Sequence, residues 1–196
     1  YNIKILKQII TAYVSFIRGT PVVLQILIIY SLLPSLFNTI IRSAGWNINV
    51  FDINPIIYAY IVFSINTSAS LSEIFRSALL TVNKGQLEAA LSIGMSPVQA
   101  YTRIIIPQAL VSAIPNICNL TINLVKGTSL AFMMTVKEVT AIAKIAASYG
   151  YNYIEAYLDI LIVYIILCSL IQLLFSMLEK HFGSYRKLTG AAQKTV

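Results

Sequence analysis

Four apolar stretches, each long enough to cross a lipid bilayer as a helix, recur along the chain with more polar segments between them. A helical span requires about 20 predominantly apolar residues. The four stretches cover, approximately, residues 21–41, 55–80, 104–125 and 156–178. Pro107 and Pro115 lie in the third stretch and are expected to break it. The pattern predicts four complete membrane-spanning helices.

The segment before the first span has a different periodicity. In residues 1–17, apolar side chains recur at the spacing of one helix face, and lysines lie between them. The apolar positions are Ile3, Leu6, Ile10 and Val14, and the lysines are Lys4 and Lys7. This arrangement predicts an amphipathic helix at the membrane surface.

Three further segments are too polar to be ordinary lipid-facing spans. Residues 42–54 include Trp46, which suits a membrane–water interface. Residues 126–155 mix charged and apolar side chains, which predicts a re-entrant or surface-lying helical segment. Residues 183–196 lack apolar periodicity, and this predicts a partly unstructured tail.

The composition places these elements in a membrane. The chain has 196 residues, of which 58% are hydrophobic and 11% are charged, and its mean hydropathy is +0.78. A soluble domain has about 25% charged residues, so this chain cannot cover itself with a charged surface. Because lipid offers backbone polar groups no partner, the spans must be helical, and an all-α integral membrane protein is predicted.

Basic residues are distributed unequally between the two sides of the membrane. If the spans alternate and Arg76 is grouped with the segment after it, four of the 14 lysines and arginines lie opposite residues 81–103. These four are Arg42, Lys126, Lys137 and Lys144. The other ten lie on the same side as residues 81–103 and the tail 183–196. Because cytoplasmic segments are richer in lysine and arginine, this side is predicted to be cytoplasmic. This distribution explains the net charge of +7 better than nucleic-acid binding, because no basic patch is interleaved with stacking aromatics.

Residues typical of metal sites and catalysis are scarce. Cys118 and Cys168 lie in separate apolar runs, and His181 is the only histidine in the sequence. No metal site or catalytic triad is therefore predicted, and a membrane enzyme is disfavoured. The sequence has no Gly-x-x-x-x-Gly-Lys-Ser/Thr loop, so no nucleotide or other cofactor is expected on this chain.

The polar stretch between the second and third spans has the most specific pattern. Residues 88–107 begin with Glu-Ala-Ala, continue with a glycine four positions after the second alanine, and end with Ile-Pro. This resembles the EAA loop of bacterial ABC importer permeases, the segment that docks onto the ATP-binding subunits. The residues that the resemblance implicates in this coupling are Glu88, Ala89, Ala90, Gly94 and Pro107. An ordinary amphipathic connector is the alternative interpretation.

The local residue types predict the shape of this loop, which covers about residues 86–107. Residues 86–93 favour a short helix, and Gly94 permits a sharp turn after it. Ser96 can cap a second helix that Pro97 begins. The two alanines are expected to let the first helix enter a groove of the partner, and the glutamate to face a basic side chain there.

Further motifs resemble permeases for polar amino acids, of the histidine, glutamine, arginine and cystine type. They are residues 16–21 with Gln25, residues 66–69 with Glu73 and Arg76, and residues 126–130. The resemblance covers about residues 13–182. It implies a type I ABC importer permease bundle over residues 1–182, with one more span before Tyr1.

The same resemblance bears on the substrate. Many family members carry an acidic residue where Gly127 stands, and its absence argues against arginine or lysine as substrate. The run from Lys126 to Phe132 is most similar to cystine-type permeases.

Candidate substrate-binding residues are Asn66, Ser68, Lys126, Gly127, Thr128 and Ser129. Ser68 shares a helix face with other serines, and such a face can line a water-filled path or allow close helix packing. At residues 126–129 a helix break is expected, where Thr128 or Ser129 could cap a following helix whose exposed start favours an α-carboxylate. A simple capped turn is the alternative. Glu73 and Arg76 are predicted to form a structural pair.

The resemblance therefore implies a permease subunit that takes a polar amino acid, with cystine as the candidate, into the cytoplasm by alternating access. It implies two ATPase subunits holding ATP and Mg²⁺, a second permease subunit, identical or homologous, and an extracytoplasmic binding protein, all at a bacterial cell membrane. The alternative is a secondary transporter or channel driven by an ion gradient. That class predicts internal repeats and mid-span charges, and the sequence has no convincing repeat.

Overall fold

The computed structural model describes the backbone of residues 2–45 and 50–191, and these residues form helices and turns without a strand. The α-helices are α1 Asn2–Gly19, α2 Val22–Ser43, α3 Ile56–Thr81, α4 Lys84–Ser92, α5 Pro97–Ala100, α6 Ile106–Gly127, α7 Val139–Gly150 and α8 Tyr153–Ala191. Val50–Asp52 and Thr128–Met134 are 3₁₀-helical, and Tyr101–Ile105 is π-helical. Trp46, for which we expected an interfacial position, lies outside the described residues.

Three stretches of the described chain are long and apolar enough to cross a membrane, namely Val22–Ser43, Pro97–Met134 and Tyr153–Phe182. They contain the first, third and fourth predicted spans. The second predicted span forms α3, a helix of 26 residues. It is not among the three, because polar residues such as Asn66 and Glu73 lower the hydropathy of its second half.

The expectation that Pro107 and Pro115 break the third span is wrong, because the chain is helical without interruption from Pro97 to Gly127. A proline has no N–H, and its ring clashes with the carbonyl four residues earlier. Ahead of Pro107 the chain widens into the π-helical turn Tyr101–Ile105, where the Ile106 N–H bonds to the Tyr101 oxygen, five residues back. This wider turn accommodates the proline without ending the helix.

Residues 126–155 include the end of α6, the 3₁₀ segment Thr128–Met134, α7 and the first residues of α8. One of the charged side chains in this segment, Lys144, contacts an aromatic ring. Its Nζ lies 4.2 Å from the centroid of the Phe132 ring. Its ammonium group is thus used in a cation–π contact that attaches α7 to the 3₁₀ segment.

The last helix is longer than the sequence suggests. We expected a partly unstructured tail from residue 183, but α8 continues to Ala191. Residues 192–196 lie outside the described part of the chain.

The chain divides into two compact units, and each has its own apolar core. The first comprises Tyr1–Ser70 and Asn123–Ile166, and its core consists of Ile26, Tyr58, Ala59, Val62, Ala131 and Met134. The second comprises Leu71–Ile122 and Leu167–Val196. Its core consists of Ala78, Ala109 and Ala113, small residues that let the backbones of α3 and α6 approach closely.

In the first unit, one buried amide fixes the corner between α1 and α2. Gln25 is 8% exposed, and its Nε2 donates to the Ile17 carbonyl oxygen at 2.8 Å and to the Thr20 Oγ1 at 2.8 Å. Its Oε1 accepts from the Asn66 Nδ2 of α3 at 3.4 Å. The Arg-Gly-Thr-Pro corner is therefore held by a polar side chain that is itself hydrogen-bonded on both ends.

Replacing Gln25 by leucine is expected to destabilise the protein, because it leaves the Ile17 carbonyl without this donor at a buried site. Leaving a buried polar group unsatisfied costs about 1–3 kcal/mol. Thermal unfolding of the detergent-solubilised protein measures the effect. Gln8→Leu is the matched control, since Gln8 is exposed on α1; equal midpoints for the two variants would contradict the role of the buried amide.

Candidate coupling loop and substrate site

The first half of the candidate coupling loop is a short helix with a defined cap at each end. At its start, the Asn83 side chain accepts from the Gly85 N–H at 2.8 Å. At its end, Gly94 has φ +84°, the Gly94 N–H bonds to the Leu91 oxygen at 3.0 Å, and the Met95 N–H bonds to the Ala90 oxygen at 3.1 Å. This pair of bonds is the Schellman motif, which favours glycine at the left-handed position. The predicted turn at Gly94 is thus present.

The second half begins with a capping box. The Gln99 N–H donates to the Ser96 Oγ at 3.3 Å, and the Ser96 N–H donates to the Gln99 Oε1 at 3.0 Å. Pro97 occupies the first turn of α5, where a missing N–H has no cost. The helix that we predicted from Ser96 and Pro97 is confirmed, and residues 84–100 form two helices joined at a fixed corner.

The surface of this loop differs from the expectation in one respect. Glu88 and Ala89 are exposed, but Ala90 is only 2% exposed, and it lies in α4, which packs on α5. Ala90 therefore packs inside the loop, and of the two alanines only Ala89 lies at its surface; the entry of this helix into a partner's groove stays a prediction. The apolar side chains that protrude are Leu91, Ile93, Val98 and Tyr101, of which Ile93 is 79% exposed.

Pro107 lies at the second position of α6, directly after the π-helical turn. Its position connects the loop to the third span by a continuous helix. The Glu88 side chain is exposed, and the described residues contain no ion pair to it.

Glu73 and Arg76 form the predicted pair on α3. The Arg76 Nε donates to the Glu73 Oε2 at 3.0 Å, and the Arg76 Nη2 also contacts the Glu73 Oε1. Two parallel bonds between a guanidinium and a carboxylate are a strong, geometrically specific arrangement. Both charges are neutralised locally, which supports the structural interpretation.

The candidate substrate residues of α3 are used in contacts between helices. Asn66 donates to Gln25 of α2. The Ser68 Oγ donates to the Ile65 carbonyl oxygen at 2.9 Å and lies 2.8 Å from the Tyr13 hydroxyl of α1. Of the two interpretations of this polar face, these contacts favour close packing of helices.

The expected helix break at residues 126–129 is absent, because α6 continues directly into the 3₁₀ segment. The Thr128 Oγ1 donates to the Val125 oxygen at 2.6 Å, and the Ser129 Oγ donates to the Lys126 oxygen at 2.7 Å. Each hydroxyl thus bonds backwards to the preceding turn. The expectation that one of them caps a following helix is wrong.

The next helix to begin is α7, and its start is occupied by the protein itself. The Glu138 carboxylate accepts from the Thr140 N–H at 2.8 Å and from the Ala141 N–H at 2.7 Å. A carboxylate from the chain satisfies the donors that an α-carboxylate of a substrate would need. The donors at the start of α7 are therefore satisfied within the chain, and a role of residues 126–129 in substrate binding stays a prediction.

Gly127 lies against α3. A Cβ atom at Gly127 would stand 3.8 Å from the Phe63 ring, an ordinary contact distance. Phe63 is three residues before Asn66 and therefore faces the same side of α3. The structure thus brings Gly127 to the side of α3 that contains Asn66, whereas Lys126 and Thr128 are exposed.

Three residues that sequence reasoning left without a role organise this region, namely Tyr13, Gln25 and Glu138. Gln25 could have been recognised because it is a polar amide inside an otherwise apolar span. Within lipid, such a group requires a hydrogen-bond partner from the protein. Glu138 precedes an apolar run, as capping residues do. For Tyr13 the sequence gives no comparable signal.

The family description "Binding-protein-dependent transport system inner membrane component" matches residues 1–184. The chain is 42% identical over 179 residues to the probable amino-acid permease protein YxeN of Bacillus subtilis, covering 91% of this chain and 75% of that protein. It is 36% identical over 180 residues to the L-cystine transport system permease protein TcyL of Bacillus subtilis, covering 92% and 73%.

A solved structure is also similar, that of an amino acid ABC transporter with histidines. The TM-score is 0.77 at 30% sequence identity, over 92% of this chain and 78% of that chain. The fold, the loop and these relatives agree. This chain belongs to the inner membrane components of binding-protein-dependent transport systems, the permease subunits of ABC importers.

Proposed function

We propose that this chain forms the translocation pathway of an importer that takes an amino acid into a bacterial cell. Two ATPase subunits, a second permease subunit, identical or homologous, and an extracytoplasmic binding protein complete the complex. The observation that carries the proposal is the capped pair of helices at residues 84–100, with an exposed carboxylate and exposed apolar side chains, in a permease of this family.

The coupling loop is proposed to receive the motion of the ATPases. Glu88, Ala89, Leu91 and Ile93 lie on or beside α4 and are exposed, as docking residues must be. Ala90 and Gly94 act inside the loop, by packing and by permitting the corner. Pro107 follows the π-helical turn that joins the loop to α6, so a tilt of the loop is passed to a membrane-spanning helix.

ATP and Mg²⁺ are proposed to bind on the partner ATPases, since the chain lacks a phosphate-binding loop. Closure of the ATPases on ATP would rock the spans from an inward-open to an outward-open state. Residues 1–182 would act as the permease domain, and residues 183–196 would lie in the cytoplasm.

For the substrate, cystine is the first candidate. It is favoured by the 36% identity to an L-cystine permease and by the lack of an acidic residue at Gly127. A cationic side chain of a substrate would lack a partner there. Asn66, Ser68 and residues 126–129 remain proposed contributors to the pathway, with Gly127 as the residue placed beside α3.

Uptake into vesicles containing the permease, its ATPase and its binding protein tests the proposed function. Cystine uptake is expected only when ATP is present on the side of the membrane that the ATPase subunits face. A sodium or proton gradient alone should not drive uptake. Preference for arginine or lysine would contradict the cystine assignment. Uptake driven by an ion gradient without ATP would contradict the importer itself.

Changing Glu88 to lysine is expected to abolish ATP-dependent uptake while leaving the protein in the membrane. The change removes a charge-assisted contact worth about 1.5–3 kcal/mol and adds a like-charge repulsion, so at least about a tenfold loss of ATPase binding is expected. Co-purification of the ATPase and uptake measure the effect. Glu155→Lys is the control, being an exposed acid at the start of α8; normal uptake by the Glu88 variant would refute the docking role.

Replacing Gly94 by alanine tests the fixed corner. No atom lies within 4 Å of a Cβ at Gly94, so any cost comes from its φ of +84°. Forcing an alanine into this region costs about 1–2 kcal/mol, and ATPase activity is expected to become uncoupled from uptake. Gly19→Ala is the matched control. A Cβ atom at Gly19 also meets open space, but the φ of Gly19 is not positive. Equal coupling in both variants would show that the corner is unimportant.

A further inference from the structure

Helix α1 separates its polar and apolar residues onto two faces. At 100° per residue, one face contains Ile5, Leu6, Ile9, Ile10, Tyr13, Phe16 and Ile17. The opposite face contains Lys4, Lys7, Thr11, Ser15 and Arg18. All the basic residues of the helix therefore share the polar face.

Within the described part of the chain, side-chain contacts attach α1 through its C-terminal half. Ile17 is buried, and its carbonyl oxygen accepts the hydrogen bond from Gln25. The Tyr13 hydroxyl lies 2.8 Å from the Ile65 carbonyl oxygen and 2.8 Å from the Ser68 Oγ, both on α3. These bonds attach α1 to the turn of α3 that also carries Asn66.

The N-terminal half of α1 has an apolar strip that the described residues leave uncovered. Side chains 4–12 are all exposed. In the strip, Ile5, Leu6, Ile9 and Ile10 are 50–60% exposed. Four large aliphatic side chains in one row are too apolar for water, and in a membrane protein the adjacent bilayer is available to cover them.

We propose that α1 lies in the membrane–water interface and binds anionic phospholipid headgroups through Lys4, Lys7 and Arg18, and that Tyr13 transmits this binding to Ser68 on α3. The apolar strip enters the acyl boundary, and the lysine stems extend to the phosphates. Charge complementarity selects anionic lipid, which is concentrated in the cytoplasmic leaflet. The assignment to that leaflet rests on the proposed function.

The position of α1 is tested by a fluorophore on the strip. In a Cys118→Ala/Cys168→Ala background, bimane attached to Ile9→Cys is expected to be quenched by doxyl-labelled lipid in vesicles of phosphatidylcholine and phosphatidylglycerol. The complete complex is used, and no transport is needed. Absence of quenching would overturn the proposal, since the strip would then be covered by protein, either another segment or a second copy.

Headgroup binding is tested by titrating phosphatidylglycerol into the purified complex. Each lysine near an anionic surface contributes about fivefold to binding, so Lys4→Gln/Lys7→Gln is expected to bind phosphatidylglycerol more weakly by about that factor per residue. Lys4→Arg/Lys7→Arg keeps the charge and should bind as the unmodified protein does. Lys137→Gln removes an exposed charge elsewhere and should also bind normally. Equal affinity in the glutamine variant, or lost affinity in either control, would overturn the proposal.

Transmission through Tyr13 is tested by uptake in neutral and anionic vesicles. Uptake by the unmodified complex is expected to rise with phosphatidylglycerol and to lose this response at high salt. Tyr13→Phe removes only the hydroxyl, so it should keep the bimane quenching and lose the lipid response of uptake. A retained response would overturn the role of Tyr13. Failure of ATP-driven uptake in every lipid would instead contradict the proposed function, because quenching and lipid titration do not depend on transport.

Discussion

Within a bilayer, each backbone N–H and carbonyl group must find its partner inside the protein, and this requirement explains two departures from a regular α-helix in the third span. Ahead of Pro107, a π-helical turn keeps the backbone bonded although the proline has no N–H. After Gly127, the chain tightens into a 3₁₀ segment and does not open. Irregular sequence thus changes the type of helix here, whereas in a soluble protein the same residues often end one.

The same requirement explains why the candidate coupling loop was the most predictable part of the molecule. Outside the lipid, a helix can end, and its ends are determined by local chemistry: Gly94 at the left-handed position, Ser96 as cap and Pro97 in the first turn. These signals act over three or four residues and can be recognised in a sequence. The burial of Ala90 could not be recognised in the sequence, because it depends on the packing of α4 against α5.

Interior polar residues were harder to interpret, because a hydroxyl or amide inside a membrane protein has several ways to be satisfied. Thr128 and Ser129 bond backwards to the turn before them, although the same residues would serve equally well as caps at a helix start. Sequence identifies such residues as candidates and predicts the spans around them. The choice between partners depends on which helices are neighbours, which the hydrophobic pattern of a single chain does not contain.

Polar side chains of the first unit attach α3 to other helices at two nearby positions, and this bears on how a permease can be stable and still rearrange. Gln25 joins the α1–α2 corner to Asn66, and Tyr13 joins α1 to Ser68, only two residues along α3. Each bond is worth about 0.5–1.5 kcal/mol net, so together they can hold the helices in place without preventing their rearrangement. A substrate path lined by the same groups would exchange these bonds for bonds to the ligand. Bonds this weak can exchange partners at little net cost, which is the property that a proposed substrate path requires of Asn66 and Ser68.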